Sequence, residues 1–443
     1  MLKFGTDGVR GIANVELTPE IVLALGRAAA RTLPGWVVIV GRDTRRSGPM
    51  LEAALAAGFA GEGVDVVLLG VAPTPAVAWA AAGSGAMAAV VSASHNPYED
   101  NGVKLFGPGG RKLGDDVEAE LEAELHRLLR HASGARPPSG DAVGTITASD
   151  DALDGWMDAV CASIEGRDLA GLRVVLDCAN GAGSRLAPEV LRRLGAQVIV
   201  LHDQPDGLNI NAGCGSTHPD GLRTAVPVQG ADVGIALDGD ADRALAVDAS
   251  GRLVDGDQLL AMLALDRLER DRLPGRSVVV TAMTNLGFRR AMTERGIAVV
   301  ETPVGDRHVL DALESENLVL GGEQSGHLIF ADLAATGDGT LTAVQVLDLV
   351  ARRGPLADLA DAAMTKLPQV LRNVRVPRSD PDLLDRLASE VAAVEVELAG
   401  SGRVLVRPSG TEPLVRIMVE APTETAAAAA ADRLAAAVER LSG

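Results

Sequence analysis

"GWVVIVGRDTRRSGPMLEAALAAG", residues 35 to 58, passes from a β-branched apolar run through a polar, arginine-bearing loop into a stretch of helical period that closes on glycine. That order is the strand-loop-helix half of an α/β unit. It returns in "GLRVVLDCANGAGSRLAPEVLRRLG" from Gly171 and in "GRSVVVTAMTNLGFRRAMTERG" from Gly275. The repetition points to three related mixed α/β domains. Beyond residue 366 the pattern changes to "QVLRNVRV", a helical stretch from Asp382, two strand-like runs in "GRVLVRPSGTEPLVRIMVEA" and an alanine-rich end. Two strands flanking a Gly-Thr turn, with helices on either side, suggest a smaller C-terminal α+β domain. Leu434, Val438 and Leu441 share one face of the terminal segment, so its low complexity is read as an ordered closing helix.

At 443 residues the chain is too long for one core, and about 100 to 150 residues per domain gives roughly three or four. The Gly-, Pro- and Ser-rich "HASGARPPSGDAVG" (131 to 144) marks the first boundary, the hairpin-like "ALAVDASGRLVDG" precedes the second, and the third lies near Lys366. The expected domains are residues 1–150, 151–255, 256–366 and 367–443. The net charge of −19 argues against a nucleic-acid partner, because the phosphate backbone is bound by clustered Lys and Arg. Aromatic residues at 2% offer no base-stacking platform. No apolar stretch is long enough to span a bilayer, and "MLKFGTDGVR" has no signal-peptide core. The three cysteines are scattered, odd in number and form no C-x-x-C, so neither a disulfide framework nor a thiolate zinc site is expected. A reducing, cytoplasmic setting without a membrane partner is expected.

The most chemically specific stretch is "GIALDGDADRALAV", where Asp238, Asp240 and Asp242 alternate with small residues after an apolar strand. In an extended backbone these side chains share one face. Carboxylates about 4 Å apart repel by roughly 4 kcal/mol at an effective dielectric near 20, so the trio stays ionised only around a cation. Oxygen ligands favour Mg²⁺ or Ca²⁺. An EF-hand is excluded, because its sixth and twelfth positions would be Arg243 and Ala249 in place of glycine and glutamate. The bland alternative is an Asp-rich surface turn.

A Mg²⁺ ion usually keeps positions for a substrate phosphate. Arg407, Ser409, Gly410 and Thr411 in "RPSGTEP" form a donor set suited to a phosphate dianion, although Ser-Gly-Thr is also ordinary turn chemistry. There is no P-loop, and "NGAGSR" (180 to 185) lacks the last glycine of a dinucleotide fingerprint. "GGEQSGHLIF" presents Glu323 and Ser325 on a Gly-flanked loop, either to grip vicinal sugar hydroxyls or as a plain β-turn.

"VVSASHNPYEDNGVK" (90 to 104) sets Ser94 and His95 at a strand end. No G-x-S-x-G elbow occurs, and in an extended backbone His95 points away from Ser94, which disfavours a hydrolase nucleophile. A phosphoryl group on Ser94 instead carries nearly two charges and three acceptor oxygens, the ligand that a cation held by the aspartates lacks.

"SASHNPYEDNGVK", "DGDADR", "GGEQSGH" and "RPSGTEPLVRI", in this order and over essentially the whole chain, resemble the α-D-phosphohexomutase superfamily. "FGTDGVRGIAN", "GLNINAGCGSTHP" and Gln324 are similar to its branch acting on glucosamine phosphates. The resemblance implies four domains around a central cleft and an isomerase that interconverts glucosamine 6-phosphate and glucosamine 1-phosphate, feeding UDP-N-acetylglucosamine and cell-wall synthesis. It implies a phosphorylated Ser94, a hexosamine or hexose 1,6-bisphosphate intermediate and activator, and Mg²⁺ held by Ser94, Asp238, Asp240 and Asp242. Glu323 and Ser325 would contact the sugar, and Arg407, Ser409, Gly410 and Thr411 the phosphate that is not reacting. Lys104, Arg10 and Arg243 would neutralise the transferring group. Lys104, His95 and His308 are the candidates to move the proton. The rival readings are a mannose- or glucose-phosphate mutase of the same superfamily, a metal-dependent phosphatase, and a sugar-phosphate binding protein without turnover. Nothing in the sequence excludes a homodimer. The metal strip has Ala241 where the family more often has glycine, a difference that matters only if this position requires φ > 0.

Overall fold

The computed structural model describes residues 8–130, 137–376, 382–408 and 414–442. The chain packs as two compact units, Met1–Met283 with Ala298–Asp361, and Thr284–Ile297 with Ala362–Gly443.

The first unit holds three sheets, each centred on the strand of one sequence repeat. Val37–Arg42 lies between parallel Asp65–Val71 and Met87–Val91, and Asp100–Gly107 runs antiparallel beside Met87–Val91. Arg173–Asp177 lies between parallel Gln197–Leu201 and Val233–Leu237, with Ala244–Asp248 antiparallel beside the latter. Ser277–Thr281 lies between parallel Ala298–Thr302 and Leu320–Gly322, with Leu328–Phe330 antiparallel beside the latter. Every sheet therefore has the spatial order second, first, third, fourth, with only the fourth strand reversed. Met87–Val91 and Val233–Leu237 are buried at every position, and a strand covered on both faces has to be written as a continuous apolar run. Alternation could not mark them.

One consequence positions the chemistry. The loop from third to fourth strand spans residues 92–99 in the first sheet, 238–243 in the second and 323–327 in the third. It leaves the carboxyl end of a parallel strand, where open α/β sheets place their ligand sites. Additional strands extend the first sheet: Val9–Ile12 pairs with Asp100–Gly107, setting Arg10 opposite Gly102, and Ile146–Ala148 pairs with Asp65–Val71.

In the second unit Leu414–Glu420 is the middle of a three-stranded antiparallel sheet, between Gln369–Arg375 and Arg403–Pro408. Helices Leu383–Leu398 and Glu424–Ser442 contribute to its apolar core, where Leu434 and Val438 are fully buried and Leu441 packs at the margin, as the helical spacing requires. The helix Leu286–Glu294 follows the first strand of the third repeat in sequence, yet it belongs to this unit. Asn285 donates through Nδ2 to Leu367 O and accepts from Leu367 N, both at 3.0 Å, while Glu420 accepts from Leu286 N at 2.9 Å. No helix among the described residues is long and apolar enough to cross a membrane.

Helices Pro19–Thr32 and Gly48–Ala60 meet through a pair of glycines. A Cβ on Gly26 would lie 2.5 Å from Leu55 O, and one on Gly58 would lie 2.4 Å from Leu23 O. Alanine favours a helix over glycine by about 1 kcal/mol, but parting the helices is overpacking, which costs about 1–3 kcal/mol. Gly26→Ala should therefore lower the midpoint of thermal unfolding in scanning calorimetry, and a raised midpoint would show that the contact yields freely.

Candidate active site

Ser94 follows the fully buried strand Met87–Val91 and adopts φ 51, a left-handed conformation unusual for a residue with a side chain. A buried ion pair enforces it. Arg45 donates through Nε to Asp43 Oδ2 at 2.8 Å, and both side chains are fully buried. The rest of its guanidinium gathers main-chain oxygens of the Ser94 loop: Ser94 and Asn96 at 2.9 Å each, Asp100 at 3.0 Å, and Pro97. Asn211 Nδ2 adds donations to Ser94 O at 2.9 Å and Asn96 O at 3.0 Å. Ser92 Oγ donates to Asp43 at 2.6 Å and accepts from Ser94 N at 2.9 Å. Burial pushes the Asp43 carboxyl up, and Arg45 and Ser92 pull it back only in part.

The Ser94 hydroxyl donates to Asp238 Oδ2 at 2.6 Å, joining two stretches 144 positions apart. Asp238, Asp240 and Asp242 are all buried, and an oxygen from each lies within 4.8 Å of the others. They converge differently from the extended arrangement that the sequence suggests. The strand stops at Leu237, Ala241 N donates back to Asp238 O at 3.1 Å, and Ala241 takes φ 58. The trio is thus gathered by a tight turn. Ala241 occupies the left-handed region at a cost of about 1–2 kcal/mol relative to glycine, so the departure at this position falls on backbone strain.

Cations and donors surround the turn. Lys104 Nζ bridges Asp240 at 2.6 Å and Asp242 at 3.0 Å, and Thr74 Oγ1 donates to Asp240 at 2.5 Å. Arg243 donates its backbone N–H to Asp238 Oδ1 at 3.1 Å, and its guanidinium lies 3.7 Å from Asp242. His327, from the loop of the third sheet, lies 3.6 Å from Asp242 and 3.4 Å from Asp306. Burial pulls its ring down, but Asp242 and Asp306 outweigh burial and leave it raised. Asp238 is pushed well up by burial and by Asp242 and Asp240. Burial works against Asp242 too, yet Lys104, His327 and Arg243 hold it well below the carboxylate range.

His95 needs a correction. Because Ser94 is left-handed, the two side chains lie on the same side, with His95 Nδ1 3.4 Å from Ser94 Oγ. Burial, then Arg243 and Arg10, lower the ring to about 4, so it is neutral near pH 7. His308 lies on the first turn of the helix Asp306–Ser315; among the described residues the histidines beside Ser94 and the aspartates are His95 and His327. Arg10 contributes its charge near His95.

Glu323 and Ser325 stand in the equivalent loop of the third sheet, tied to the aspartate turn by Ala244 N donating to Gly326 O at 3.0 Å. Glu323 accepts from Gly305 N at 3.2 Å, and the buried Ser325 hydroxyl has no hydrogen-bond partner. In the second unit, Arg407 faces Arg416 directly across two antiparallel strands. Burial and then Arg416 lower the Arg407 guanidinium. Like charges in such a register disfavour the sheet unless an anion sits between them. Ser409, Gly410 and Thr411 lie outside the described residues.

Sequence reading missed Asp43, Arg45, Thr74 and Asn211, and gave His327 no role at the aspartates. The available signal was the arginine-rich "GRDTRRSG" at the carboxyl end of the first repeat's strand.

Known proteins supply the family. Models described as the α/β/α domains I, II and III of phosphoglucomutase/phosphomannomutase match residues 1–131, 154–251 and 255–367, and the model of its C-terminal domain matches 371–437. The chain is 55% identical to the phosphoglucosamine mutase of Frankia casuarinae, over 98% of this chain and 97% of the relative. It is 52% identical to that of Thermobifida fusca over 98% and 97%. Among solved structures, a phosphoglucomutase/phosphomannomutase family protein from Burkholderia thailandensis superimposes with a TM-score of 0.83 at 26% identity, covering 100% of this chain and 98% of that one. The N-acetylphosphoglucosamine mutase of Aspergillus fumigatus, solved with GlcNAc-6P and magnesium, shares the fold at a TM-score of 0.71 and 21% identity, covering 100% and 96%. Matched in all four domains and at more than half identity along nearly its whole length, the chain belongs to the phosphoglucomutase/phosphomannomutase family and, within it, to the phosphoglucosamine mutases.

Proposed function

We propose that this isomerase interconverts glucosamine 6-phosphate and glucosamine 1-phosphate, with Ser94 as the phosphoryl carrier and a 1,6-bisphosphate as the intermediate. The carrying observation is the Ser94 hydroxyl, buried and donating to Asp238 at 2.6 Å within the aspartate cluster. In one half-reaction the sugar O1 attacks phosphorus on Ser94, the bond from phosphorus to Oγ breaks, and the proton lost by O1 is returned to Oγ. In the other, Ser94 Oγ gives up its proton and takes the phosphoryl group from O6, and that proton goes to O6. His95, neutral and 3.4 Å from Oγ, is placed to move that proton, whereas Lys104 is committed to two carboxylates.

The aspartates fit a Mg²⁺ ion: Asp240 Oδ1 and Asp242 Oδ1 are buried without hydrogen-bond partners, and all the donors are hard oxygens. Asp238, Asp240 and Asp242 would hold it together with a phosphate oxygen on Ser94, and when bound it neutralises charge on the phosphoryl group in flight. Lys104, Arg243 and Arg10 add fixed positive charge. Glu323 and the unpartnered Ser325 hydroxyl are assigned to the sugar, and Arg407 with Ser409, Gly410 and Thr411 to the distal phosphate. A hexosamine or hexose 1,6-bisphosphate would restore the phosphoenzyme whenever the intermediate escapes.

Intact-protein mass tests the carrier. Incubation with glucose 1,6-bisphosphate and Mg²⁺ should add one phosphoryl group, which Ser94→Ala abolishes together with turnover; a phosphorylated Ser94→Ala protein would sink the assignment. Turnover of glucosamine 1-phosphate should exceed that of the glucose and mannose 1-phosphates, and the reverse order would favour the phosphomannomutase reading. Arg45 touches no substrate in this scheme but holds four carbonyl groups of the Ser94 loop. A misplacement of about 1 Å costs on the order of 10²-fold in rate. Arg45→Lys, which keeps the charge and loses the fork, should therefore cut kcat by about that factor with KM little changed. A rise in KM at constant kcat would place Arg45 in substrate binding instead.

A further inference from the structure

Outside the aspartate turn, one other group of metal-ligating side chains comes together among the described residues: Asp177, His202 and Cys214, with a ligand atom from each within 4.8 Å of the others. They arrive from three places in the second sheet: the end of the strand Arg173–Asp177, the residue just past Gln197–Leu201, and the loop after it. Asp177 and Cys214 are fully buried, while His202 is partly open to solvent and gives a way in.

The contacts within the group are incomplete for a purely structural role. His202 Nδ1 is shut off from solvent 3.0 Å from Asp177 Oδ1, yet the two form no aligned hydrogen bond. A ring nitrogen and a carboxylate oxygen at that separation require a cation or a well-directed proton between them. Asp177 already accepts from Ala179 N and Gly215 N, both at 2.9 Å. The Cys214 sulfur meets only an amide, Asn180 Nδ2 at 4.0 Å, which is weak for a buried thiol. The three ligand atoms thus stand close together, with the imidazole nitrogen without a hydrogen bond and the sulfur only weakly met.

We propose that Asp177, His202 and Cys214 form a second metal site, selective for a thiophilic divalent ion of the zinc class. A carboxylate, an imidazole and a thiolate are the three-ligand complement of such ions, with a fourth position left for water on the open side of His202. Mg²⁺ is excluded by the sulfur, as the all-oxygen aspartate turn is suited to it. The thiolate is the binding form of the cysteine, so binding releases the thiol proton to solvent.

The position links the site to the chemistry. Ser216 N, two residues past Cys214, donates to Leu237 O at 2.9 Å, immediately before Asp238. Asn211, in the same loop, holds Ser94 O and Asn96 O. An ion here ties down the loop that supports both halves of the catalytic cluster.

The test is a titration of the full chain with Co²⁺, with excess Mg²⁺ occupying the aspartates. A near-ultraviolet thiolate-to-cobalt band should saturate at one equivalent, vanish in Cys214→Ser and persist in Cys161→Ser. His202→Asn, chosen because His202 has φ 50 and asparagine tolerates that conformation, should weaken binding by at least about tenfold while leaving the circular dichroism spectrum intact. No band with the folded protein, or a band that survives Cys214→Ser, would overturn the proposal, as would unchanged affinity in His202→Asn.

Discussion

Three buried carboxylates within 4.8 Å of one another, facing one serine hydroxyl, are the constraint around which this molecule is built. At an effective dielectric near 20 each close pair repels by roughly 4 kcal/mol, a large fraction of a domain's usual net stability. The chain answers with Lys104, Arg243, His327 and the Thr74 hydroxyl, each from a different element. These groups compensate the cluster but leave two carboxylate oxygens without a hydrogen bond. A site compensated to completion would have no reason to bind an ion. A site left bare would give up its charge by taking protons. The observed state lies between the two, with Asp242 held charged and Asp238 pushed toward its protonated form, so that charge is available without being fully opposed.

The threefold repeat explains how such a cluster can be assembled at all. Because the sheets share one strand order, the same loop position recurs three times, and each copy carries a different chemistry. The first presents a serine hydroxyl, the second carboxylates, the third a histidine, a glutamate and a hydroxyl without a hydrogen-bond partner. Fully buried strands precede all three loops and fix where they begin. Direct bonds then lock the loops together, from Ser94 to Asp238 and from Ala244, the first strand residue after the aspartate turn, to Gly326. Precision comes from rigid strand ends, which hold functional groups better than long loops do.

Much of this was legible in the chain itself. Apolar runs ending in polar loops gave the three central strands, and the motifs marked the three loops that carry Ser94, the aspartates, and Glu323 with Ser325. What escaped has a common physical cause. Arg45 acts by donating to carbonyl groups about fifty positions away, and carbonyls carry no side-chain signature. Thr74 is one threonine among several until Asp240, 166 positions later, is folded against it. The relation of His95 to Ser94 was misread because adjacent residues diverge only in an extended backbone, and nothing local in "SASHNP" announces φ 51. The helix Leu286–Glu294 reads as part of the third repeat by order, while its packing is decided by Leu367 and Glu420.

The positive-φ residues tie these points together. Ser94, Ala179, Asn180, His202, Asn211 and Ala241 all occupy the left-handed region, and all lie in the loops that converge on the two clusters of ligating side chains. Glycine would adopt these angles with less strain, but glycine has no hydroxyl, imidazole or amide to offer. At Ser94, His202 and Asn211 the side chain is the reason for the residue, and the strain, of order 1–3 kcal/mol at each, persists because the surroundings over-determine the backbone. For Ser94 those surroundings are the Asp43–Arg45 pair and Asn211, which hold its carbonyl oxygen, while the hydroxyl meets Asp238 and His95. Ala241 is different, since it bears no chemistry. Its methyl group is buried at the turn, in a space so tight that a Cβ added to Gly183 would lie 3.2 Å from it. Packing under the aspartate turn thus offsets in part the conformational cost that its left-handed backbone imposes.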